Sequence, residues 1–149
     1  MIGDGPERNN LESLCRKLDI HHDTRFLGKQ DAVEELLAVA DLFLMPSESE
    51  SFGLAALEAM ACEVPVISSN VGGLPEVNIH GQTGYLANVG DVETMADHAI
   101  SLLADQNLLT QFRAQALSQA QQFNIENILP QYEAYYQEVL ENSIVKTTD

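Results

Sequence analysis

Apolar and polar positions follow two periods along this chain, and the switches between them divide it into short strands and helices. From Glu7 to Leu18 the residues Leu11, Leu14, Cys15 and Leu18 recur at helical spacing, behind a Pro6 whose missing N–H costs nothing near a first turn. Thr24 to Leu27 reads as a short strand. Gly28, Lys29 and Gln30 then turn the chain, and Asp31 with Glu34 forms a capping-box-like pair ahead of Val33, Leu36, Leu37 and Ala40. Leu42 to Met45 is apolar, too short for a helix and stopped by Pro46, so it predicts a strand followed by a polar loop. Ser51 is the predicted cap of the next helix, whose expected inner face is Leu54, Leu57, Ala61 and Cys62. Val64 to Ser68 reads as a buried strand, and Pro75 can open a short helix. Asp91 should cap a helix carrying Met95, Ala99, Leu102 and Leu103.

From Asn107 to roughly Asn142 the period is helical, with Leu108, Leu109 and Phe112 on one face. Ile125, Ile128, Leu129, Tyr132, Tyr136 and Val139 make another, and Pro130 within that pattern predicts a kink or a break. The tail Lys146 to Asp149 is expected to fray. Helices alternating with short apolar strands predict an α/β fold: a mostly parallel sheet, helices on both faces, and a site at the carboxyl ends of the strands. Gly3-Asp4-Gly5-Pro6 lacks the third glycine of G-x-G-x-x-G, which weakens a dehydrogenase reading.

Composition narrows the partners. A length of 149 residues at 45% hydrophobic content supports one globular domain and excludes a disordered chain. A net charge of −16 argues against nucleic acid or an anionic membrane as a partner. No apolar run approaches membrane-spanning length and the first residues do not read as a signal peptide, so the expected location is cytoplasmic, without membrane insertion. Cys15 and Cys62 fall on apolar helix sides, and His21, His22, His80 and His98 show no metal-ligand spacing.

The candidate chemistry lies between Pro46 and Pro65. A helix opening after Ser51 leaves the backbone N–H groups of Phe52, Gly53 and Leu54 at its positive end, where anions bind, and Gly53 admits a ligand close to the backbone. Glu50 and Glu58, with seven residues between them, bracket the first two turns. Spacing alone is also met by ordinary helix glutamates that interact with the dipole or with solvent. A diphosphate needs positive charge, yet after Arg8, Arg16, Lys17, Arg25 and Lys29 the next basic residue is Arg113.

The run P-S-x-x-E-x-F-G-L-x-x-x-E-A-M-A-x-x-x-P-V, here Pro46 to Val66 with its E-x7-E pair, resembles the retaining GT-B glycosyltransferases of the family-4 type. Asn70 to Glu76 resembles that family's G-G-x-P-E loop, and Gly81 to Leu86 its hairpin-like G-x-T-G-x-L segment, which the resemblance makes structural. The resemblance implies a Rossmann-like donor domain in which Glu50 holds the donor sugar and Glu58 the ribose hydroxyls, with no obligatory metal and no further cofactor. It implies a UDP-sugar donor held also by Ser51, Phe52, Gly53 and Leu54, with Gly5 in the G-D-G-P turn and Lys29 or Gln30 near the base. Within the family, Phe26 to Asp31, Ser47 to Leu54 and Tyr85 to Asp91 are most similar to members that join N-acetylglucosamine from UDP-N-acetylglucosamine to L-malate in bacillithiol synthesis.

By that resemblance, residues 1–149 correspond to part of a C-terminal nucleotide-sugar-binding domain. The acceptor domain and the phosphate-binding Arg and Lys are expected to lie outside the sequence, and these residues alone are expected to be inactive. Homo-oligomers through exposed faces are also open. So are two other classes, a non-catalytic nucleotide-sugar binding module and a partner-pairing domain. One departure concerns the turn after the glutamate helix, where Glu63 stands at the glycine of the family's A-C-G-V-P; glycine is favoured there because a left-handed backbone strains a Cβ.

Overall fold

The computed structural model describes residues 1–145, so the expected fraying of Lys146 to Asp149 lies outside the described residues. The chain forms two compact units, Met1–Leu36 and from Leu37 onward. In the first, α1 spans Arg8–Lys17 and buries Cys15; Pro6 stands just before the N-cap Glu7. The expected strand at Thr24 to Leu27 does not form. Leu27 donates its N–H to Met1 O at 2.9 Å, and Gly3 and Gly28 make an isolated antiparallel bridge. Both glycines have positive φ, +108° and +68°, which stops the pairing from extending into a strand. Arg8 is consumed within this unit by Glu12, at 3.0 Å, and by the Phe26 carbonyl, at 3.3 Å. Helix α2, Val33–Leu37, ends at the start of the second unit and buries Leu37.

The second unit is built on three parallel strands in the order β1 (Phe43–Met45), β2 (Val66–Ser69) and β3 (Gly84–Ala87). All four residues of β2 are buried, so both faces of the central strand are covered, as its run of apolar and small residues requires. Helix α3, Leu54–Ala61, packs on β1 and β2, and α5, Val92–Ala104, packs on β2 and β3 with Met95 against Ile67 and Ala87. Helix α4, Leu74–Val77, is a single turn with Pro75 in its opening positions, as expected. Asp91 caps α5 through Thr94 N–H at 3.1 Å, and the hydrogen bonds from Thr94 hold its carboxyl below the usual carboxylate range. Helix α6, Gln106–Gln122, buries Leu109 and Phe112 and packs against α3 and α5. Because β3 is parallel to β2, the Gly81 to Leu86 segment is not a hairpin: its turn is closed by Gly81 N–H on Gly84 O, and the strand then continues in the common direction.

Helix expectations change for the buried faces of α3 and α5, and of the kink or break expected at Pro130 the break does not form. Helix α7, Ile125–Val145, runs through Pro130 unbroken. It has few tertiary constraints there, since Leu129, Tyr132 and Tyr136 are all exposed, and one missing hydrogen bond is tolerated within 21 residues. In α3 the buried side chains are Ala56, Ala59 and Met60, while Leu54 is 64% exposed. This helix is apolar nearly all the way round, so its periodicity does not select a face. In α5, likewise, Leu102 is buried but Leu103 is exposed.

A fully buried amide ties the sheet together. Asn78 donates through Nδ2 to Val66 O and Ser68 Oγ, each at 3.0 Å, and to Tyr85 O at 3.2 Å, while its Oδ1 accepts from Thr83 Oγ at 3.0 Å. Gly84 leaves room for it, since a Cβ there would stand 2.7 Å from Asn78 Oδ1 and 1.7 Å from Val66 O. Asn78→Ala strands several buried polar groups at once, and a thermal or urea melt should show a loss of about 1–3 kcal/mol.

The turn after α3 takes the form that Glu63 made doubtful. Glu63 has φ +61°, its N–H donates to Met60 O and that of Val64 to Ala59 O, both at 3.0 Å, which is a Schellman closure. The left-handed position costs a residue with a Cβ about 1–2 kcal/mol, and glycine gives back part of that gain through its freer unfolded chain. Glu63→Gly should therefore raise stability by about 0.5–1 kcal/mol, read as a higher melting midpoint. An unchanged or lower midpoint would show that the side chain compensates the strain.

Candidate functional site

Parallel strands bring their carboxyl ends to one edge, and the loop from β1 to α3 and the loop from β2 to α4 emerge there together. The backbone contact between them is close. A Cβ at Gly72 would lie 1.6 Å from Glu50 O, and one at Gly73 would lie 2.8 Å from Ser51 O. The paired glycines thus admit the neighbouring loop itself, which is the reason for glycine at both positions.

Within that loop the expected cap is replaced by another arrangement. Ser51 does not cap α3: the N-cap is Gly53, at φ +102° and without a side-chain bond. Gly53 is required twice, by its left-handed backbone and by Leu74, whose Cδ2 would be 2.8 Å from a Cβ. The helix therefore begins at Leu54, later than a cap at Ser51 would place it, and its unpaired N–H groups belong to its own first turn. Upstream, Glu50 Oε1 accepts from Ser51 N–H at 3.0 Å and from Phe52 N–H at 3.4 Å. The carboxylate thus takes up loop donors through one oxygen, leaving Oε2 outside these bonds.

Glu58 is exposed, one turn into α3, and lines a groove of about 370 Å³ with Leu54, Leu57, Leu117 and Phe123. Phe52, Leu54 and Leu57 also line a larger groove of about 510 Å³ closed by Ile128, Tyr132 and Tyr135 of α7. The loop thus gathers Glu50, Ser51, Phe52, Gly53 and Leu54 into one short segment, with Glu58 on the helix that follows. Gly5, Lys29 and Gln30 belong to the first unit. There Gly5 lines a cavity of about 290 Å³ with Asp4, Arg8 and Phe26, Gln30 Nε2 donates to Leu27 O at 2.6 Å, and Lys29 is exposed.

Charge in the second unit is one-sided. Among its described residues the single Lys or Arg is Arg113, bound to Asp41 Oδ1 at 2.6 Å. In that unit, attraction for an anion at the loop falls to backbone N–H groups and the α3 dipole. Among the described residues no group of three or more His, Cys, Asp or Glu is placed to hold a metal ion, and no helix is long and apolar enough to cross a membrane.

Residues 1–119 match the family described as glycosyl transferases group 1. The chain belongs to this family. It is 51% identical, over 141 residues, to N-acetyl-alpha-D-glucosaminyl L-malate synthase of Bacillus anthracis, an alignment covering 94% of this chain and 37% of that protein. The fold agrees: sucrose-phosphate synthase from Thermosynechococcus elongatus superposes with a TM-score of 0.83 at 30% identity, over 95% of this chain and 38% of that one. Anabaena HepE, solved in complex with UDP, gives 0.83 at 26% identity, over 92% of this chain and 40% of its own. The architecture is that of the GT-B glycosyltransferases. The sequence pointed to the two glutamates and their loop as candidates; it gave no signal for Asn78 or Phe123, neither of which stands in a motif that it offers.

Proposed function

We propose that this chain supplies the donor-binding part of a retaining hexosyltransferase that takes N-acetylglucosamine from UDP-N-acetylglucosamine and passes it to L-malate. The observation that carries the reading is the Glu50 to Glu58 pair, set in the carboxyl-edge loop and its helix, in a chain of which 94% aligns at 51% identity with 37% of N-acetyl-alpha-D-glucosaminyl L-malate synthase. UDP as the nucleotide draws support from HepE, whose structure holds it. In this reading the first turn of α3 offers N–H groups to the anionic donor, and Glu58 accepts the ribose hydroxyls. Glu50 places a carboxylate beside the sugar ring, where positive charge grows as the bond to the leaving diphosphate breaks. Gly5, Lys29 and Gln30 are assigned to donor binding by the family resemblance of their segments, Lys29 and Gln30 as contacts to the base. The group needs no metal in this scheme, and a cytoplasmic location belongs to the same reading.

Isothermal titration of the chain with UDP, and then with UDP-N-acetylglucosamine, tests the assignment. Saturable heats with UDP are expected, with GDP binding more weakly. No heat with UDP at millimolar concentration would reject it in favour of a domain that pairs with another protein.

A further inference from the structure

We propose that Phe123 is a positioning residue for Glu50, its ring fixing that of Phe52 and so the backbone that holds the Glu50 carboxylate. The inference rests on reading Glu50 as the donor-sugar carboxylate, but its geometry is independent of any ligand. The Phe52 and Phe123 rings meet nearly edge to face, with centroids 5.7 Å apart and planes at 72°, an arrangement that aromatic quadrupoles favour. Phe52 also donates its N–H to Glu50 Oε1 at 3.4 Å, the longer of the two bonds that tether the carboxylate. A long bond is the one most easily lost if the donor shifts. The ring and the N–H share one Cα, so fixing the side chain in one rotamer restricts the backbone that carries the donor.

Phe123 can perform this role because it sits on a braced corner. It is the C-cap of α6, with its N–H on Ala120 O at 3.1 Å, and Asn124 N–H follows on Gln121 O at 3.2 Å. Asn127 Nδ2 reaches back to Gln121 O at 2.9 Å, joining the start of α7 to the end of α6. The loop is therefore held by Gly72 and Gly73 against its backbone and by the Phe123 ring against its one aromatic side chain. The same ring lines the groove of Glu58.

A substitution cycle read at backbone amides by NMR tests this in the chain itself. In the native protein, Glu50→Gln should shift the amide protons of both Ser51 and Phe52, because a charged acceptor is replaced by a neutral one. In a Phe123→Ala background, the Glu50→Gln shift at Phe52 should fall to about half or less, the non-additivity expected of coupled neighbours. Phe123→Tyr, which keeps the ring, should restore it, and Phe123→Leu carries the same test should the alanine variant fail to fold. Equal shifts at Phe52 in both backgrounds would overturn the proposal. So would a Phe123→Ala variant whose Ser68 and Leu86 amides move as much as that of Phe52, since the ring would then support the fold at large. A chain that does not bind UDP would remove the donor-binding reading and leave this cycle standing, so the two failures are distinct.

Discussion

Glu58→Ala raises the dissociation constant of the chain for UDP by roughly tenfold to a hundredfold, while Glu50→Ala leaves UDP affinity nearly intact; this is the result expected from the proposed division of labour. A hydrogen bond between a charged carboxylate and a ribose hydroxyl contributes about 1.5–3 kcal/mol, and each 1.4 kcal/mol is a factor of ten in binding. Glu58 is exposed on α3, and while its backbone carbonyl accepts from Cys62 N–H at 3.3 Å, its carboxylate makes no hydrogen bond or ion pair among the described residues and can accept from a ligand without first breaking one. Glu50 differs because its Oε1 is already engaged by Ser51 and Phe52. Its loss should appear with the sugar nucleotide, as weaker binding of UDP-N-acetylglucosamine relative to UDP and as lost turnover in a complete enzyme, where charge develops on the ring. Calorimetry on both variants with both ligands separates the cases. If both residues were ordinary helix and loop glutamates, the two substitutions would have equal, small effects on UDP, and the site assignment would fall.

How much of this was legible in the sequence depends on how local the determining physics is. The β1–loop–α3 order could be read because Pro46 and Pro65 punctuate it and the apolar run before Pro46 is too short for a helix. Asp91 was legible as a cap because capping is decided within three residues, here Asp91 and Thr94. The left-handed turn at Glu63 was legible from the glycine that the family resemblance places there. The true start of α3 was not, because it is set by a residue distant in sequence: Leu74 packs on Gly53 and leaves no room for a side chain. Nor was the direction of β3, since a turn such as Gly81 to Thr83 precedes parallel and antiparallel strands alike. Asn78 gives no signal in the sequence, where it stands outside every motif. Its importance lies in four partners, Val66, Ser68, Thr83 and Tyr85, that only the folded sheet assembles. In the candidate site, the sequence offered the loop and its two glutamates, but not the bonds that hold Glu50 in place.

The glycine pair gives the second large effect. Gly72→Ala should unfold or displace the site loop, with a stability loss of about 3 kcal/mol or more, at the severe end of single substitutions. Two costs add at this position. The backbone is left-handed, φ +56°, which penalises any Cβ, and the new methyl would stand 1.6 Å from Glu50 O and 2.8 Å from Glu50 C. Both obstacles are backbone atoms, so no rotamer change relieves them; the Glu50 peptide must move by more than an ångström or the β2–α4 loop must give way. The Glu50 side chain hangs from that peptide, and its bonds to Ser51 and Phe52 would be lost with it. Gly90→Ala is the control, because it has a similar φ of +80° but no atom within 4 Å of the added Cβ. It should cost only the backbone strain, about 1–2 kcal/mol. Urea melts of the two variants measure the difference. Amide spectra of Gly72→Ala should show Ser51 and Phe52 displaced even where the sheet survives. Equal losses at Gly72 and Gly90 would mean that the loop yields freely, and that Glu50 is not held at the carboxyl edge by the backbone of the neighbouring loop.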